Sequence, residues 1–288
     1  MTYNTNPYKA HQDGFTLVEL SIVLVIIGLI VGGILVGQDM IKAATVRSQM
    51  TQIDSFNSAA NTFRDKYRYY PGDVASTVAT QYGLIAAAAR TGANSLGDGD
   101  GLIEGSATAA NVADLANEVL LFWSDLNQVG MIAGGFYDST RTTTNVGGTA
   151  ITQAGMNTFL PTGKLGRGTN VIVFPAVGNN YFYLGTPTGA TATAGVVGWQ
   201  DGLTPTEADN LDEKMDDGFP DTGIIRSFNT SADAIAAAQT PTGGAAAPAA
   251  GDCYNTTGKD DYATSVSSAA NEAIANQPGC NLRIRSTF

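Results

Sequence analysis

Two aspartates in a glycine-rich segment are the residues of this sequence best suited to bind a metal ion. Asp98 and Asp100 alternate with glycines, and carboxylates at this spacing open many calcium-binding loops. The segment departs from the EF-hand pattern, because Leu102 stands at the third ligand position and no glutamate closes the loop. Asp73 or Glu104 could complete a structural calcium site. A solvated glycine–aspartate turn without a metal is the favoured interpretation, calcium is the alternative, and no other cofactor is indicated.

A second group of acidic residues lies farther along the chain, at the end of a segment with helical spacing. Lys214 sits among them, where surface ion pairs contribute little stability. We interpret this group as the solvated face and C-terminal turn of a helix. Its members are Asp212, Glu213, Asp216, Asp217 and Asp221.

One carboxylate stands inside an otherwise apolar run. Glu19 is the only ionisable side chain in residues 15–37. As a helix this run would measure roughly 34 Å, enough to cross about 30 Å of hydrocarbon. A carboxylate at the bilayer centre costs about 2.5–3.5 kcal/mol, and ionisable groups in membrane segments commonly serve a function. Glu19 is therefore expected to pair with a cation on another chain.

The residues around that carboxylate, Gly14-Phe15-Thr16-Leu17-Val18-Glu19, resemble the processing and methylation signature of type IV pilins and type II secretion pseudopilins. The resemblance is firm over residues 14–70 and looser beyond. Tyr69-Tyr70-Pro71-Gly72-Asp73 is similar to the segment that ends the long helix of pseudopilins.

This resemblance implies a route of processing and assembly. A prepilin peptidase would cut between Gly14 and Phe15, Phe15 would be N-methylated, and Glu19 would pair with the N-terminal amine of a neighbouring subunit. The implied partners are the peptidase, other pilin or pseudopilin subunits and an inner-membrane assembly platform. The expected regions are a leader, a transmembrane and assembly helix, and an extracytoplasmic pilin-like domain, over residues 1–14, 15–37 and 38–288.

A secretory signal peptide and a plain single-pass anchor fit this N-terminus less well. Signal peptides join a basic region to an apolar stretch of about 7–15 residues, whereas the leader is polar with one lysine and the apolar run is longer. The charges do not orient the segment, since Lys9 lies on one side and Lys42 and Arg47 on the other. A cytoplasmic leader is implied by the family alone.

The two cysteines, Cys253 and Cys280, are expected to form a disulfide. An even count in an exported chain favours pairing, and the closed loop would contribute on the order of 3–3.5 kcal/mol. Many pilins close a C-terminal loop in this way. Two free buried thiols are the alternative.

The sequence offers little for catalysis. Its one histidine, His11, lies in the leader, so a processed chain would lack Ser-His-Asp and Cys-His chemistry and zinc sites built on histidine. Paired cysteines would leave no thiolate nucleophile. The protein is therefore not expected to be an enzyme. The net charge of −11 also argues against a basic nucleic-acid interface.

Periodicity predicts the elements that hold these residues. Apolar residues recur at helical spacing over residues 46–67, which predicts one helix over residues 15–67. The segment Tyr69-Tyr70-Pro71-Gly72-Asp73 is expected to end it, because proline disfavours helix at the residue before it. Shorter helices are predicted over residues 74–89, 111–129 (capped by Asn111) and 206–215 (stopped by Gly218). Strands are predicted over residues 171–174, 181–184, 223–228 and 282–285, the first two as a hairpin. Low-complexity surface loops are predicted over residues 186–198 and 231–251.

Together these predictions describe an α+β fold. A long N-terminal helix, membrane-spanning in its first half, packs on a C-terminal antiparallel sheet domain with extra helices and long loops. The predicted function is that of a structural subunit of a type II secretion pseudopilus or related filament. The first alternative is a type IV pilin for adhesion, motility or DNA uptake. The second is a glycan-binding protein or hydrolase that uses a pilin anchor. Before assembly the chain would lie in the inner membrane with a periplasmic domain, and afterwards in a periplasmic or cell-surface filament.

Overall fold

The computed structural model contains a long helix, an antiparallel sheet and shorter helices, so the predicted α+β class is confirmed. Helix α1 covers Leu17–Tyr67. The chain divides into two compact units, Met1–Ala44 and Thr45–Phe288, and α1 contributes to both. The structure describes residues 16–84, 97–105, 117–136, 151–176, 178–190, 197–220, 222–228, 253, 262 and 278–288.

In the first unit, α1 exposes its apolar side chains on every side. Each large apolar residue from Leu17 to Ile41 is at least 50% exposed. Within the described residues, α1 is the one helix long and apolar enough to cross a bilayer. Exposed apolar surface of this extent marks a membrane or protein contact.

In the second unit, α1 buries one face, as its spacing predicts, with one exchange. Gln49 takes the inward position expected for Met50, which is only partly buried. The Gln49 amide is satisfied there, because Oε1 accepts a hydrogen bond from the Lys164 backbone N–H at 2.6 Å and Nε2 donates to Gln52 Oε1 at 3.0 Å. The buried residues of α1 are Val46, Gln49, Ile53, Phe56, Ala59, Ala60, Phe63 and Tyr67.

Helix α1 ends at Tyr67, as predicted. The residue that ends it is Arg68, however, and not Pro71, which lies farther along the chain. Arg68 adopts a left-handed conformation, with φ of 69°, and its N–H donates to the Arg64 carbonyl at 2.7 Å. This geometry is a C-terminal cap that glycine usually provides.

The sheet is built around one long strand. Strands β2, β3, β6 and β5 lie side by side in that order, all antiparallel, and β1 and β4 pair with the far end of β3. The β2–β3 hairpin is confirmed. The prediction of a surface loop over residues 186–198 is wrong at both ends, because β3 continues to Ala190 and β4 begins at Val197. The strands are β1 Ile151–Thr152, β2 Asn170–Ala176, β3 Asn179–Ala190, β4 Val197–Gln200, β5 Ile225–Phe228 and β6 Asn281–Arg285.

Three of the shorter helices correspond to predicted ones and differ from them at the ends, whereas the helix over Gln153–Met156 was not predicted. Asn111, the predicted cap of α3, lies outside the described residues, as does the whole of the loop predicted over residues 231–251. Helix α5 begins with a capping box, in which the Thr204 side chain accepts from the Glu207 N–H and Glu207 accepts from the Thr204 N–H. It ends at Met215, three residues before Gly218. The helices are α2 Ser76–Gln81, α3 Asn117–Gln128, α4 Gln153–Met156 and α5 Pro205–Met215.

An aromatic cluster forms the core between α1, α3 and the sheet. Phe56 lies 4.8 Å from Trp123 and 6.1 Å from Phe182, measured between ring centroids. Phe288, at the C-terminus, stacks on Phe122 at 5.4 Å. Trp123 is fully buried and is therefore a core residue.

Candidate functional site

The start of α1 is organised by Thr16 and Glu19. Glu19 Oε2 accepts hydrogen bonds from the Thr16 N–H and the Thr16 hydroxyl, both at 2.8 Å. The Glu19 N–H donates to Thr16 Oγ1 at 3.3 Å. This is a capping box, and the Thr-x-x-Glu pattern that encodes it is visible in the sequence. The structure thus gives Glu19 a partner within its own chain, while Gly14 and Phe15 lie outside the described residues.

The glycine–aspartate segment lies in a loop, residues 97–105, that buried carboxylates hold from below. Asp73 is 1% exposed. Its Oδ1 accepts from the Gly99 N–H at 2.7 Å and its Oδ2 accepts from the Gly101 N–H at 2.9 Å. Asp73 was one of the two residues predicted to complete the Asp98–Asp100 site, and the structure does place it beneath that segment.

Glu118 holds the two ends of the same loop. Its Oε1 accepts from the Gly97 N–H at 2.6 Å and its Oε2 accepts from the Glu104 N–H at 2.9 Å. Between these ends, Asn180 of β3 accepts from the Ile103 N–H at 2.9 Å. Side chains from α3 and β3 therefore fix the loop backbone on the domain.

Asp125, on α3, holds the adjacent turn. Its Oδ2 accepts from the Gly72 N–H at 2.8 Å. Gly72 has φ of 84° and follows Pro71, and the Asp73 N–H donates to the Tyr70 carbonyl at 3.2 Å, which is the pattern of a type II turn. A Cβ on Gly72 would lie 2.4 Å from the Glu118 carbonyl oxygen, so this turn requires glycine.

The three acids Asp73, Glu118 and Asp125 are named here the buried carboxylate cluster. Sequence analysis identified Asp73 alone. Glu118 and Asp125 stand seven residues apart, two helical turns, on the same face of α3 as its buried apolar residues. This spacing is the feature of the sequence from which the burial of Glu118 and Asp125 could have been predicted.

Burial perturbs the protonation of the cluster. Desolvation raises the pKa of Glu118 to about 9, and the charges of Asp73 and Asp98 act in the same direction against the hydrogen bonds from Glu104 and Gly97. Desolvation also raises the pKa of Asp73 to about 6, although the N–H groups of Gly99 and Gly101 oppose it. Glu118 is therefore protonated at neutral pH, while Asp73 is largely ionised.

The carboxylate oxygens of Asp73, Asp98 and Asp100 lie within 4.8 Å of one another, a spacing compatible with one hard cation. Hydrogen bonds within the loop engage one oxygen of each of the two outward aspartates. Asp98 Oδ1 accepts from the Asp100 N–H at 3.1 Å, and Asp100 Oδ1 accepts from the Leu102 N–H at 2.7 Å. Calcium binding by Asp98 and Asp100 stays a prediction.

The acids at the end of α5 have structural partners too. Asp212 Oδ2 accepts from the Tyr262 hydroxyl at 2.7 Å, and Asp216 Oδ2 accepts from the Ile224 and Ile225 N–H groups. Burial raises the pKa of Asp212 to about 7. These bonds agree with the predicted helix face and turn, except that Asp212 is buried, and Asp221 is not among the described residues.

Cys253 and Cys280 form the predicted disulfide, with Cα atoms 4.8 Å apart. The Cys280 carbonyl accepts from the N–H groups of Gly202 and Leu203, at 3.0 and 2.9 Å. The bridge therefore ties a distant segment to the start of β6 and to the residues that precede α5.

Comparison with known proteins identifies one feature of the chain. Residues 9–35 match the family model of the prokaryotic N-terminal methylation motif, the signal of type IV pilins and pseudopilins. No curated protein and no solved structure matches the chain. The match covers Gly14, Phe15 and Glu19, the residues on which the resemblance rests. The chain thus carries the N-terminal signal of pilins and pseudopilins, followed by a pilin-like α+β architecture.

Proposed function

We propose that this protein is a structural subunit of a type II secretion pseudopilus or a related type IV filament. The observation that carries the proposal is the methylation motif over residues 9–35 at the head of a helix whose apolar side chains are exposed on all sides. Such a helix needs lipid before assembly and other helices afterwards. Prepilin peptidase, other subunits and an inner-membrane platform are the partners that this route requires.

In this proposal the peptidase cuts between Gly14 and Phe15, and Phe15 is then methylated. The cut leaves Thr16 as the second residue of the processed chain, so Glu19 lies next to the new amine. The Thr16–Glu19 capping box fixes the carboxylate at the helix start, where it can also receive a cation from a neighbouring subunit. Residues 38–288 would be extracytoplasmic.

Replacement of Glu19 tests the assembly role. Glu19→Ala should be processed normally, with Phe15 as the methylated N-terminus in mass spectrometry, but filaments in sheared surface or periplasmic material should be depleted. Ser21→Ala is the matched control, because Ser21 makes only a local bond to the Val18 carbonyl on the same helix. Normal filament yield from Glu19→Ala would contradict this role of Glu19.

The finer choice, pseudopilus over pilus, rests on the resemblance of the Tyr-Pro-Gly segment and the acidic glycine loop to pseudopilins. Deletion of the gene should reduce export of secreted enzymes and leave surface motility intact. The reverse result would assign the chain to a type IV pilus.

A further inference from the structure

An open groove of about 520 Å³ lies in the second unit, between α1 and two loops. The buried ring of Phe56 and the half-buried side chains of Met131 and Phe136 form its apolar part. Ser48, on α1, and Lys164, on the loop before β2, stand at its edge and are exposed. Its volume is in the range of sites that bind small molecules or protruding side chains.

The groove carries a positive charge and no negative one. Every residue that lines it is within the described ranges, and Lys164 is the only charged one. The chain as a whole carries a net charge of −11, so acidic side chains outnumber basic ones. The groove is thus complementary to a partner that is both apolar and acidic.

The chain itself presents such a surface, the turn between α5 and β5. Phe219 is 46% and Ile224 is 40% exposed. Among the described residues of the second unit, Tyr82 is the only other large apolar side chain exposed to this degree. Glu213 and Asp217 stand beside Phe219 and are exposed. We name these four residues, Glu213, Asp217, Phe219 and Ile224, the acidic knob.

Hydrogen bonds make the knob rigid. Asp217 Oδ1 accepts from the Phe219 N–H at 3.0 Å, and Asp216 Oδ2 accepts from the Ile225 N–H at 2.9 Å. The nearby cation, Lys214, donates to Asn210 Oδ1 at 3.1 Å and so turns back along α5. A rigid, preformed surface loses little conformational entropy when it docks.

We propose that the acidic knob of one copy docks in the groove of the next copy, with Phe219 on the apolar floor and Glu213 facing Lys164. This inference rests on the proposed function, because filament assembly supplies the second copy. The knob and the groove share no residue, so the contact can repeat head-to-tail from one copy to the next. A head-to-tail contact that does not close into a ring propagates as an open filament.

Photocrosslinking in assembled filaments tests the contact. The full chain is expressed with a prepilin peptidase and an assembly platform, and p-benzoyl-L-phenylalanine replaces Ile224. Filaments are assembled from an equal mixture of normal and ¹⁵N-labelled chains, so that links between copies are recognised by mass. The expected link joins position 224 to residues 48–56, 131–136 or 161–164 of another copy. The same probe at position 82 is the matched control, because Tyr82 is at least as exposed as Ile224, at 46% against 40%.

A charge exchange provides the second measurement. Lys164→Glu and Glu213→Lys should each reduce the crosslink yield about tenfold, because each change places two like charges opposite one another in the contact. The chain with both changes should recover it, because the two charges exchange places. Glu213 is preferred to Asp217 for this test, since Asp217 also holds the turn.

The outcomes separate the two proposals. Filaments whose crosslinks from position 224 fall outside the groove, or whose yield the charge changes leave unaltered, would overturn the contact and leave the proposed function intact. Processed chains that form no filaments at all would overturn the proposed function and the contact with it.

Discussion

The stability of the globular unit should depend on the protonation of Glu118. Its folded-state pKa is about 9, against an ordinary value of 4.5. Between these values the folded chain holds a proton that the unfolded chain has released. Stability therefore falls as pH rises through this window, being fully present below about pH 4.5 and lost through about pH 9.

Glu118→Gln should remove this pH dependence and lower the free energy of unfolding by an amount that does not change with pH. In the wild type, the proton that is released on unfolding lowers the free energy of unfolding by about 1.4 kcal/mol for each pH unit. The variant has no such proton, so it lacks this loss. The variant instead lacks one acceptor, because its amide nitrogen cannot receive the N–H of Gly97 or Glu104, at a cost of about 1–3 kcal/mol. By pH 6 the wild type has lost about 2 kcal/mol, so the two proteins should have similar stability there, and the variant should gain on the wild type by about 1.4 kcal/mol for each further pH unit.

Urea unfolding at about pH 6, 7 and 8 measures this difference. Tryptophan fluorescence is a suitable signal because Trp123 is fully buried. Asp73 and Asp212, with pKa values raised to about 6 and 7, add their own losses at lower pH, but they do so in both proteins. Glu213→Gln, at an exposed position, is the control that should leave the slope unchanged. Parallel stability curves for wild type and Glu118→Gln would refute the reasoning.

Three further perturbations have defined outcomes. Replacing both Cys253 and Cys280 by serine should lower the free energy of unfolding by about 3 kcal/mol, since the bridge closes a loop with a sequence separation of 27; an unchanged urea midpoint would contradict this. If Asp98 and Asp100 bind calcium with the affinity of extracellular sites, about 10 mM Ca²⁺ should stabilise the wild type by about 1.4–2.7 kcal/mol. Asp98→Asn/Asp100→Asn should show no such gain, and a wild type indifferent to calcium would end the metal prediction. Arg68→Gly should add about 1 kcal/mol and raise Tm by about 2–4 °C, because glycine adopts the left-handed cap without strain; a lower Tm would contradict this.

Dense local patterns made much of the fold predictable from the sequence. Helix α1 has an apolar stripe long enough to outweigh any single residue, and the hairpin has β-branched and aromatic runs on both sides of a glycine–asparagine turn. The sequence did not reveal which individual residues of the helix face inward. Met50 and Gln49 are adjacent, and hydrophobicity favours the wrong one. Gln49 is inward because Lys164, far away in sequence, offers it a backbone N–H.

The second half of β3 shows why the strand propensity of individual residues can fail to predict a strand. Thr186, Gly189 and Ala190 have the composition of a loop, yet they are paired with residues of β4 or β1. Cross-strand partners, which local sequence does not reveal, decide strand structure here. The same holds for Glu118 and Asp125, whose partners are backbone N–H groups of remote segments.

The buried carboxylate cluster accounts for the glycines of the acidic loop. Gly97, Gly99 and Gly101 direct their N–H groups inward, as alternate residues of an edge strand would, but carboxylates of Asp73 and Glu118 accept them in place of a neighbouring strand. Glycine is required for this close approach, since a Cβ on Gly97 would lie 2.3 Å from the Val74 carbonyl oxygen. The pH and calcium predictions are therefore coupled, because Asp73 holds the loop that carries Asp98 and Asp100. A cation held by the outward aspartates would stabilise the ionised form of Asp73 beneath them and lower its pKa. Without calcium, the raised pKa of Asp73 makes the protein lose stability as pH rises to about 6. This loss of stability should diminish when calcium is bound.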